Sequence, residues 1–499
     1  MKKRYPGYIP AFDGLMESHS FSPFNMFVSS RQLFAEYMNW LFDILFQAKN
    51  EIDFSEYDKY NQRVFGFIAE RLLNVWVIGK GLNVQYCPVY QNNDNVIVTE
   101  FKNSLKKIII CEIRKVQCLK KLGIITFHAA YNFGSVLQAY ATQQSISMLG
   151  FDVSTIDYRP KSQNDYYGKL YRTSFGIKPF IKDLMMMPAR SERLIRRNRF
   201  ESFIKEHLSL TEERFTFPDE LNKIADTFDV FVSGSDQIIN KHSNELQNEN
   251  WSAMNPYLLT FTTRKKITYA SSPSSMSDEE LQNIVEPLKR FDFISAREED
   301  AAVKISRLTG KKVPNVLDPT LLLSKENWLK VSEGASIRSL PHDFVLYYSL
   351  DGTNKVAKRV TTLRNIAKSL NVPVLVITPF AYVPSDKYLI NDHSFGPSEF
   401  IQAINNASLV ITDSYHGTLF SLNLGTPFLS ISSGSGSSTR KDQLLSRLHL
   451  SDHIVGSLED SVSKLSKGNF SEDRDYRQLL DKLKQESVSY LSYSLKYES

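Results

Sequence analysis

The segment LGIITFHAAYNFGSVLQAYATQQSISMLGFDVSTIDY, residues 122–158, decides the fold of this chain. It begins with an apolar run at 123–127 and continues through a polar loop into a helical pattern at 135–149. A second apolar run at 151–157 follows Gly150. Strand, loop, helix, glycine and strand in this order predict a βαβ unit, in which the strands are parallel and the crossover is right-handed.

The alternation of apolar runs and helical patterns continues along the chain. Further strands are predicted at 228–232, 266–270, 293–296, 313–316, 344–348, 372–377, 409–412 and 428–431. They form two series that join near 318–327, so we predict an α/β protein with two Rossmann-like parallel-sheet halves at 122–330 and 331–460. A cleft between the halves is expected at the carboxyl ends of the strands. Residues 461–499 are predicted to be a helical tail that ends in a solvated helix.

The first 100 residues have a different pattern. Apolar side chains recur at helical spacing in 29–46 and again in 57–78, which predicts a mainly helical N-terminal extension. A short strand is predicted at 87–90. The charged, lysine-bearing residues 101–121 are predicted to be a linker or a connecting helix.

The composition limits the classes of function. Of the 499 residues, 42% are hydrophobic and 23% are charged, which is typical of soluble globular proteins. The 3 cysteines fit neither a disulfide framework nor a zinc motif and favour a reducing cytoplasm. Because 60 basic residues nearly balance 55 acidic ones, the charge favours no nucleic-acid partner and leaves an anionic small substrate open. The sequence contains no signal-peptide pattern and no apolar run near the length of about 18 residues that spans a membrane.

Polar loops at predicted strand ends carry the candidate catalytic residues. In TDSYHGT, residues 412–418, a strand gives way to a helix, and His416 is suited to exchange a proton near neutral pH. Backbone N–H groups at the start of this helix favour an anion. The alternative is that Asp413 or Ser414 caps the helix and that His416 is structural.

The loop SGSDQ, residues 233–237, also follows a predicted strand. Asp236 is a candidate to accept a proton from a sugar hydroxyl or to orient that hydroxyl. The alternative is an ordinary turn, in which Gly234 supplies a positive φ and Asp236 a helix cap. In HAAYNFGS, residues 128–135, Gly134 would let the backbone approach a ligand, but the loop lacks the G-x-G-x-x-G pattern of dinucleotide sites.

Two basic features complete the set of candidates. Arg297 follows the predicted strand 293–296, and its guanidinium suits a carboxylate or a phosphate, with pairing to the acids at 298–300 as the alternative. The stretch 180–200 is both basic and apolar, which fits a solvated basic helix or a helix that touches a membrane surface. No cluster of metal ligands is evident.

Taken in order, six motifs resemble the polysaccharide pyruvyl transferase family. They cover about residues 120–450 and are NFGSVLQAY with IDY (132–140 and 156–158), RFESF with LT (199–203 and 210–211), SGSDQ (233–237), SARE (295–298), VLDPTLL (316–322) and DSYHGT (413–418). A region at about 20–95 resembles the C-terminal part of a DUF4422 domain, through PFNMF (23–27), YMNWLF (37–42) and RVFGFIAERLLNVW (63–76). That family is associated with glycosyl transfer in capsular polysaccharide clusters, and we expect the region to be an inactive remnant without the domain's first half.

The first resemblance implies a GT-B-like fold and a ketal-forming transfer of pyruvyl from phosphoenolpyruvate to a sugar of a surface or capsular polysaccharide, with no cofactor and no metal. It maps a catalytic histidine onto His416 and a strand-end arginine onto Arg297, and Asp236 completes the catalytic set. Substrate contacts are expected from the same loops, at Asn132, Gly134, Ser135, Ser233, Gly234, Ser235, Asp413, Ser414, Gly417, Thr418 and Arg440. The family often has Arg-Leu-His where this chain has Ser414-Tyr-His416, and this departure removes one phosphate-binding cation.

Two other functions remain open from the sequence. The fold alone would also suit a GT-B-type glycosyltransferase that uses a nucleotide sugar, or a non-catalytic component of a polysaccharide assembly complex. The expected partners are phosphoenolpyruvate and a sugar or lipid-linked oligosaccharide acceptor, with no nucleic acid. The expected location is the cytoplasm, with peripheral association at the inner face of the cytoplasmic membrane as an option.

Overall fold

A computed structural model describes residues 5–17, 31–51, 64–82, 120–161, 163, 187–243, 245–246, 251–274, 276–335, 337, 340–432, 437–465 and 475–497. The chain divides into two compact units, Met1–Leu119 and Lys120–Ser499. The first unit is helical where it is described, and the second is an α/β unit.

The first unit contains the helices α1 (Ile9–Glu17), α2 (Arg31–Glu51) and α3 (Val64–Gly79). Aromatic side chains fill its core, since the rings of Tyr37 and Trp76 lie 5.0 Å apart and Trp40 is also buried. The predicted helical N-terminal extension is therefore confirmed. The predicted strand at 87–90 and most of the predicted linker at 101–121 lie outside the described residues.

The first half of the second unit has a four-stranded parallel sheet. Its strands and α-helices are β1 (Lys121–Ile125), α4 (Phe133–Met148), β2 (Asp152–Thr155), α5 (Arg190–His207), β3 (Val230–Asp236), β4 (Lys265–Ser271), α6 (Asp278–Gln282), α7 (Val285–Lys289) and α8 (Glu299–Thr309). The strand order is β2-β1-β3-β4, so the chain switches direction across the sheet between β1 and β3. Open α/β sheets bind ligands at such a switch point, beyond the carboxyl ends of the strands.

The second half has a six-stranded parallel sheet. Its elements are α9 (Lys325–Val331), β5 (Val345–Tyr348), α10 (Thr353–Leu370), β6 (Val374–Ile377), β7 (Leu389–Asn391), α11 (Pro397–Asn406), β8 (Leu409–Thr412), α12 (Tyr415–Leu424), β9 (Phe428–Ile431), α13 (Ser437–Arg447), β10 (Ile454–Val455) and α14 (Leu458–Leu465). The order β7-β6-β5-β8-β9-β10 is the Rossmann order, with its switch point between β5 and β8. The predicted α/β class with two Rossmann-like parallel-sheet halves, as in GT-B-like proteins, is therefore confirmed.

Two predicted strands of the first half are only isolated bridges. The segments 293–296 and 313–316 pair at single positions, Ile267 with Phe293, Ser271 with Ala296 and Ala296 with Asn315. Pro314 has no N–H to donate, so the ladder between the two segments does not extend. Conversely, the structure adds β7 and β10, which the sequence analysis did not predict.

The C-terminal helix is packed rather than solvated. Helix α15 (Asp475–Lys496) buries Leu491 and Leu495 in one cluster with Val230 and Ile267 of the first sheet. The Tyr490 hydroxyl also donates to the backbone oxygen of Thr268, at 3.1 Å. The prediction of a solvated terminal helix was wrong, because this helix covers the first half although it follows the second half in the chain.

The two halves of the second unit are packed against each other at the carboxyl ends of their strands. The ring of Phe133, at the start of α4, stacks on Phe400 of α11 with centroids 4.3 Å apart and also contacts Tyr348, which ends β5. Arg199 of α5 lies 3.2 Å from Glu399 of the second half. This boundary, where the prediction placed a cleft, brings the two switch points together.

Candidate active site

His416 lies at the boundary because of its position in α12. Ser414 caps this helix by accepting a hydrogen bond from the N–H of Gly417, and His416 follows two residues after the cap. The His416 ring packs against the first turn of α4, where a Cβ atom on Gly134 would lie only 2.0 Å from Nδ1. Only glycine fits there, and the histidine of one half therefore contacts the backbone of the other. The His416 side chain nevertheless remains 12% exposed.

Asp318 is the nearest carboxylate to His416. Its Oδ2 lies 3.4 Å from His416 Nε2 and accepts a 2.9 Å hydrogen bond from Arg297, while Oδ1 accepts from the N–H and the hydroxyl of Thr320. The carboxylate is fully buried. Burial opposes its ionisation, but His416, Arg297 and the Thr320 N–H outweigh that effect and hold the pKa of Asp318 well below its usual range.

Arg297 is enclosed by carboxylates. Besides Asp318, its guanidinium lies 3.5 Å from Asp236 and 3.7 Å from Glu298, and its side chain is 1% exposed. Its cationic carbon also lies 4.7 Å from the centroid of the Tyr415 ring. Although burial favours the neutral form, the surrounding groups raise the pKa of Arg297 above its ordinary value. Of the neighbouring acids at 298–300 that the sequence offered as partners, Glu298 is the one in contact.

Asp236 ends β3 and connects this cluster to α4. Its Oδ2 accepts a 2.8 Å hydrogen bond from the hydroxyl of Ser135, in the first turn of that helix. Its backbone has a φ of 82°, in the left-handed region that non-glycine residues rarely adopt. This conformation aims the carboxylate toward Ser135 and Arg297 at the switch point between β1 and β3.

Arg440 of α13 closes the cluster from the second half. Its guanidinium donates to the Ser272 hydroxyl at 3.1 Å and to Glu298 at 3.3 Å, both in the first half, and lies 5.6 Å from the Tyr415 ring centroid. Burial lowers the pKa of Arg440, although Glu298 acts in the opposite direction. Tyr415 therefore has one arginine from each half near its ring.

Asp236, Arg297, Glu298, Asp318, His416 and Arg440 together form what we call the boundary cluster. Several of its buried polar atoms have no hydrogen-bond partner in the described part of the chain. They are Arg297 Nε, Glu298 Oε2, His416 Nε2 and Arg440 Nε. Buried polar groups are usually hydrogen-bonded, and unpaired ones occur where a catalytic role, a bound water or an ion accounts for them. The cluster thus offers two guanidinium N–H donors, whereas His416 Nε2 faces Asp318 at 3.4 Å.

Other predicted substrate contacts are used within the fold. The hydroxyls of Ser233 and Ser235 donate to the backbone oxygens of Tyr257 and Ala270, and a Cβ on Gly234 would lie 2.2 Å from the Tyr269 oxygen. These three residues pack the sheet instead of facing the boundary cluster. We expected them to contact a ligand because their loop follows a strand end. The sequence does not show in which direction each side chain of that loop points.

The N–H groups expected to bind the donor anion are also occupied. The N–H of Gly417 donates to the Ser414 hydroxyl and that of Thr418 to the Ser414 backbone oxygen, at 3.3 and 3.1 Å. Asn132 similarly caps α4 by accepting from the Gly134 N–H at 3.0 Å. Ser414 therefore caps α12, as in the alternative interpretation that the sequence left open for this residue.

Asp413 faces the other switch point, between β5 and β8. It accepts from the Ser349 hydroxyl, from the Leu350 N–H at 3.1 Å and from Arg359 at 3.2 Å. Burial raises the pKa of Asp413. It therefore belongs to a polar group separate from the contacts of His416.

A second histidine–aspartate pair, which the sequence analysis did not single out, lies in the first half. His128 Nε2 is 2.9 Å from Asp157, which also contacts Arg159 at 2.6 Å and Arg214 at 2.9 Å. Burial opposes ionisation, but His128 and Arg159 hold the pKa of Asp157 well below its usual range. Because His128 is fully buried, we interpret this pair as a structural support of the β1 and β2 ends.

Asp318 is a candidate site residue, in contact with His416 and Arg297, that the sequence analysis missed. The motif VLDPTLL contributes to the family resemblance, but nothing in its pattern gives the aspartate a role. The available signal was an acid at the end of a short apolar run, directly before proline.

No group of three or more His, Cys, Asp or Glu side chains within the described ranges is suited to hold a metal ion. None of the described helices combines the length and the apolar character needed to cross a bilayer.

Comparisons with known proteins agree with the motifs. Residues 132–435 match the family described as polysaccharide pyruvyl transferase, and residues 1–81 match DUF4422, a domain of unknown function. The first match covers more than half of the chain, which therefore belongs to the polysaccharide pyruvyl transferase family, a family of transferases that act on polysaccharide. The DUF4422 resemblance is also confirmed, with a match that begins and ends earlier than the predicted 20–95.

Similar solved structures have low sequence identity. The UDP-N-acetylglucosamine 2-epimerase of Rickettsia bellii is 11% identical, with 76% of this chain and 100% of that chain covered and a TM-score of 0.42. The UDP-GlcNAc 2-epimerase of Methanocaldococcus jannaschii, in complex with UDP-GlcNAc and UDP, is 14% identical, with 73% of this chain and 99% of that chain covered and a TM-score of 0.44. A glycosyltransferase from Streptomyces nogalater is 8% identical, with 76% of this chain and 99% of that chain covered and a TM-score of 0.36. These likenesses are too weak to bear on function. No curated protein sequence matches the chain.

Proposed function

We propose that this protein transfers the pyruvyl group of phosphoenolpyruvate to two hydroxyls of one sugar in a surface or capsular polysaccharide, or in its precursor, as a ketal. The observation that carries the proposal is the position of His416. Within a pyruvyl transferase domain, it lies at the meeting point of two sheets, beside a buried carboxylate, with its side chain still 12% exposed.

The first chemical step is a proton transfer to carbon. His416, as an imidazolium, delivers a proton to the C3 methylene of phosphoenolpyruvate, and positive charge develops at C2. The unpaired Nε–H groups of Arg297 and Arg440 would hold the carboxylate or the phosphate of the donor.

The remaining steps balance the reaction. One sugar hydroxyl adds to C2 and gives its proton to Asp236. The phosphate then leaves with the electron pair of the C2–O bond. Finally, the second hydroxyl of the same sugar adds to C2. The proton held by Asp236 goes to the departing phosphate, and the second hydroxyl returns a proton to His416. The products are a methyl-bearing ketal and inorganic phosphate.

The acceptor in this proposal is a sugar or a lipid-linked oligosaccharide at the inner face of the cytoplasmic membrane. Helix α5 exposes Leu194 and Ile195 among its arginines, a surface compatible with peripheral membrane contact.

The direct experiment is to incubate the full chain with phosphoenolpyruvate and a panel of free glycosides in deuterated water. The expected result is phosphate release together with a ketal whose methyl group carries one solvent deuteron, because C3 is protonated once. The same panel with nucleotide sugars is the comparison. Sugar transfer with nucleotide release, and no ketal, would instead establish a glycosyltransferase.

A further inference from the structure

The segment that links the two halves of the second unit is hydrogen-bonded to both of them. On the side of the first half, the Tyr269 hydroxyl donates to the backbone oxygen of Leu317 and the Leu317 N–H donates to Ser487, both at 3.0 Å. On the side of the second half, the Asn423 amide donates to the backbone oxygens of Thr320 and Leu323, at 2.9 and 3.0 Å. Asn423 belongs to α12, the helix that carries His416.

Asp318 lies in the middle of this segment with both carboxylate oxygens occupied. Thr320 fixes Oδ1 through its N–H and its hydroxyl, at 3.0 and 2.7 Å. The other oxygen, Oδ2, lies between Arg297 of the first half and His416 of the second. A carboxylate fixed in this way has little freedom to turn, so it defines where the imidazole ring and the guanidinium lie relative to each other.

The charges around His416 fit this arrangement. Three carboxylates, Asp236, Glu298 and Asp318, and two guanidiniums, Arg297 and Arg440, form the boundary cluster. With His416 as an imidazolium, the cluster contains three cations and three anions. The other titratable groups near it are the phenols Tyr415, which contacts the ring edge-on, and Tyr269, which is fully buried next to Asp318. The phenol of Tyr490 stacks on Tyr269, with centroids 6.5 Å apart.

We propose that Asp318 is a positioning residue, which turns Nε2 of His416 toward itself and stabilises the imidazolium. The catalytic part of this inference rests on the proposed function, whereas the contact between Asp318 and His416 does not. A buried carboxylate plays the same part for the imidazole of serine hydrolases, where it orients the ring and stabilises its charged form.

The test compares Asp318→Asn with Asp157→Asn. Both replace a buried carboxylate that lies between a histidine and an arginine, so a general loss of packing or charge affects both. The readout is the imidazole resonance of His416 in protein labelled at histidine Cε1. That resonance is identified among the 9 histidines by its loss in His416→Gln.

The expected result is that this resonance changes its chemical shift in Asp318→Asn, because the carboxylate that faces Nε2 at 3.4 Å has been replaced by a neutral amide. Asp157→Asn should leave it unchanged. In the assay with phosphoenolpyruvate, Asp318→Asn should lower kcat roughly 10²- to 10⁴-fold, with kcat/KM falling equally.

An unchanged resonance in folded Asp318→Asn would overturn the inference, whether or not the protein uses phosphoenolpyruvate. A shifted resonance in a protein that releases no phosphate from phosphoenolpyruvate would support the contact and overturn the proposed function alone. If Asp318→Asn does not fold, Thr320→Val tests the same idea, since it removes the hydroxyl at Oδ1 and keeps the charge. A lower kcat at unchanged KM for phosphoenolpyruvate is then expected, and an unchanged kcat would overturn the inference.

Discussion

At the scale of single residues, the contact between Gly134 and His416 determines how closely the two halves approach. A methyl group at position 134 would overlap the imidazole, since its three nearest atoms all belong to the His416 ring. Gly134 is thus needed for close approach between the halves. The glycine-containing loop of the first half and the histidine motif of the second are in direct contact through these two residues.

We expect Gly134→Ala to destabilise the protein by about 1–3 kcal/mol, in the range typical of overpacking. In a His416→Ala background the same change should be neutral or slightly stabilising, because the ring is gone and alanine favours a helix. Urea denaturation of the two single variants and the double variant measures the coupling. Equal effects in both backgrounds would show that the contact is absent in solution.

Asp157 provides a prediction about pH. The pKa of Asp157 in the folded protein is held below the ordinary value of about 3.9. The ionised form of Asp157 therefore stabilises the fold above about pH 4. This stabilisation is lost as the pH falls toward the folded-state pKa. The difference in free energy of unfolding between wild type and Asp157→Asn should therefore shrink as the pH falls from about 5 to 3. Denaturant titrations at each pH measure it, and a constant difference would contradict this assignment.

The residue types of the boundary cluster could be predicted, but their contacts could not. His416, Asp236 and Arg297 were identifiable because each follows a strand end. Asp318 was not, because its importance lies in bringing together an arginine and a histidine that are far from it in sequence. Sequence patterns also cannot show that Ser414 already occupies the N–H groups of Gly417 and Thr418.

At the scale of elements, helix α15 is the clearest departure from expectation. Its polar residues suggested a solvated helix, yet Leu491 is fully buried against the first sheet. Central strands such as β1, β3, β5 and β8 were predictable from continuous apolar runs, which a parallel sheet covered on both faces requires. The short edge strands β7 and β10 were not, since three and two residues form no pattern.

We expect Leu491→Ala to lower the free energy of unfolding by about 2–5 kcal/mol, as for other large-to-small changes in a core. The matched control is Gln485→Ala on the same helix, where the side chain is exposed and the effect should stay within about 0.5 kcal/mol. Urea denaturation measures both. Equal and small effects would mean that the helix is not docked in solution.

At the scale of the whole molecule, the catalytic candidates all lie in the second compact unit. The first unit has its own aromatic core and supplies none of the residues of the boundary cluster. Residues 132–435, which carry the family match, likewise fall within Lys120–Ser499.

Deleting residues 1–119 should therefore leave kcat and KM for phosphoenolpyruvate within a few-fold of the full chain. The measurement is phosphate release by both proteins at matched concentrations of folded protein, checked by circular dichroism. A soluble truncated protein that has lost turnover while still binding the acceptor would show that the first unit takes part in the reaction.

The central claim is that His416 donates the proton to the enol carbon of the donor, and kcat of His416→Gln tests it most directly. Glutamine keeps a hydrogen-bonding side chain of similar size but cannot act as the acid. We predict that kcat falls roughly 10²- to 10⁴-fold while the free energy of unfolding changes little. A stable His416→Gln protein with kcat within a few-fold of wild type would contradict the account.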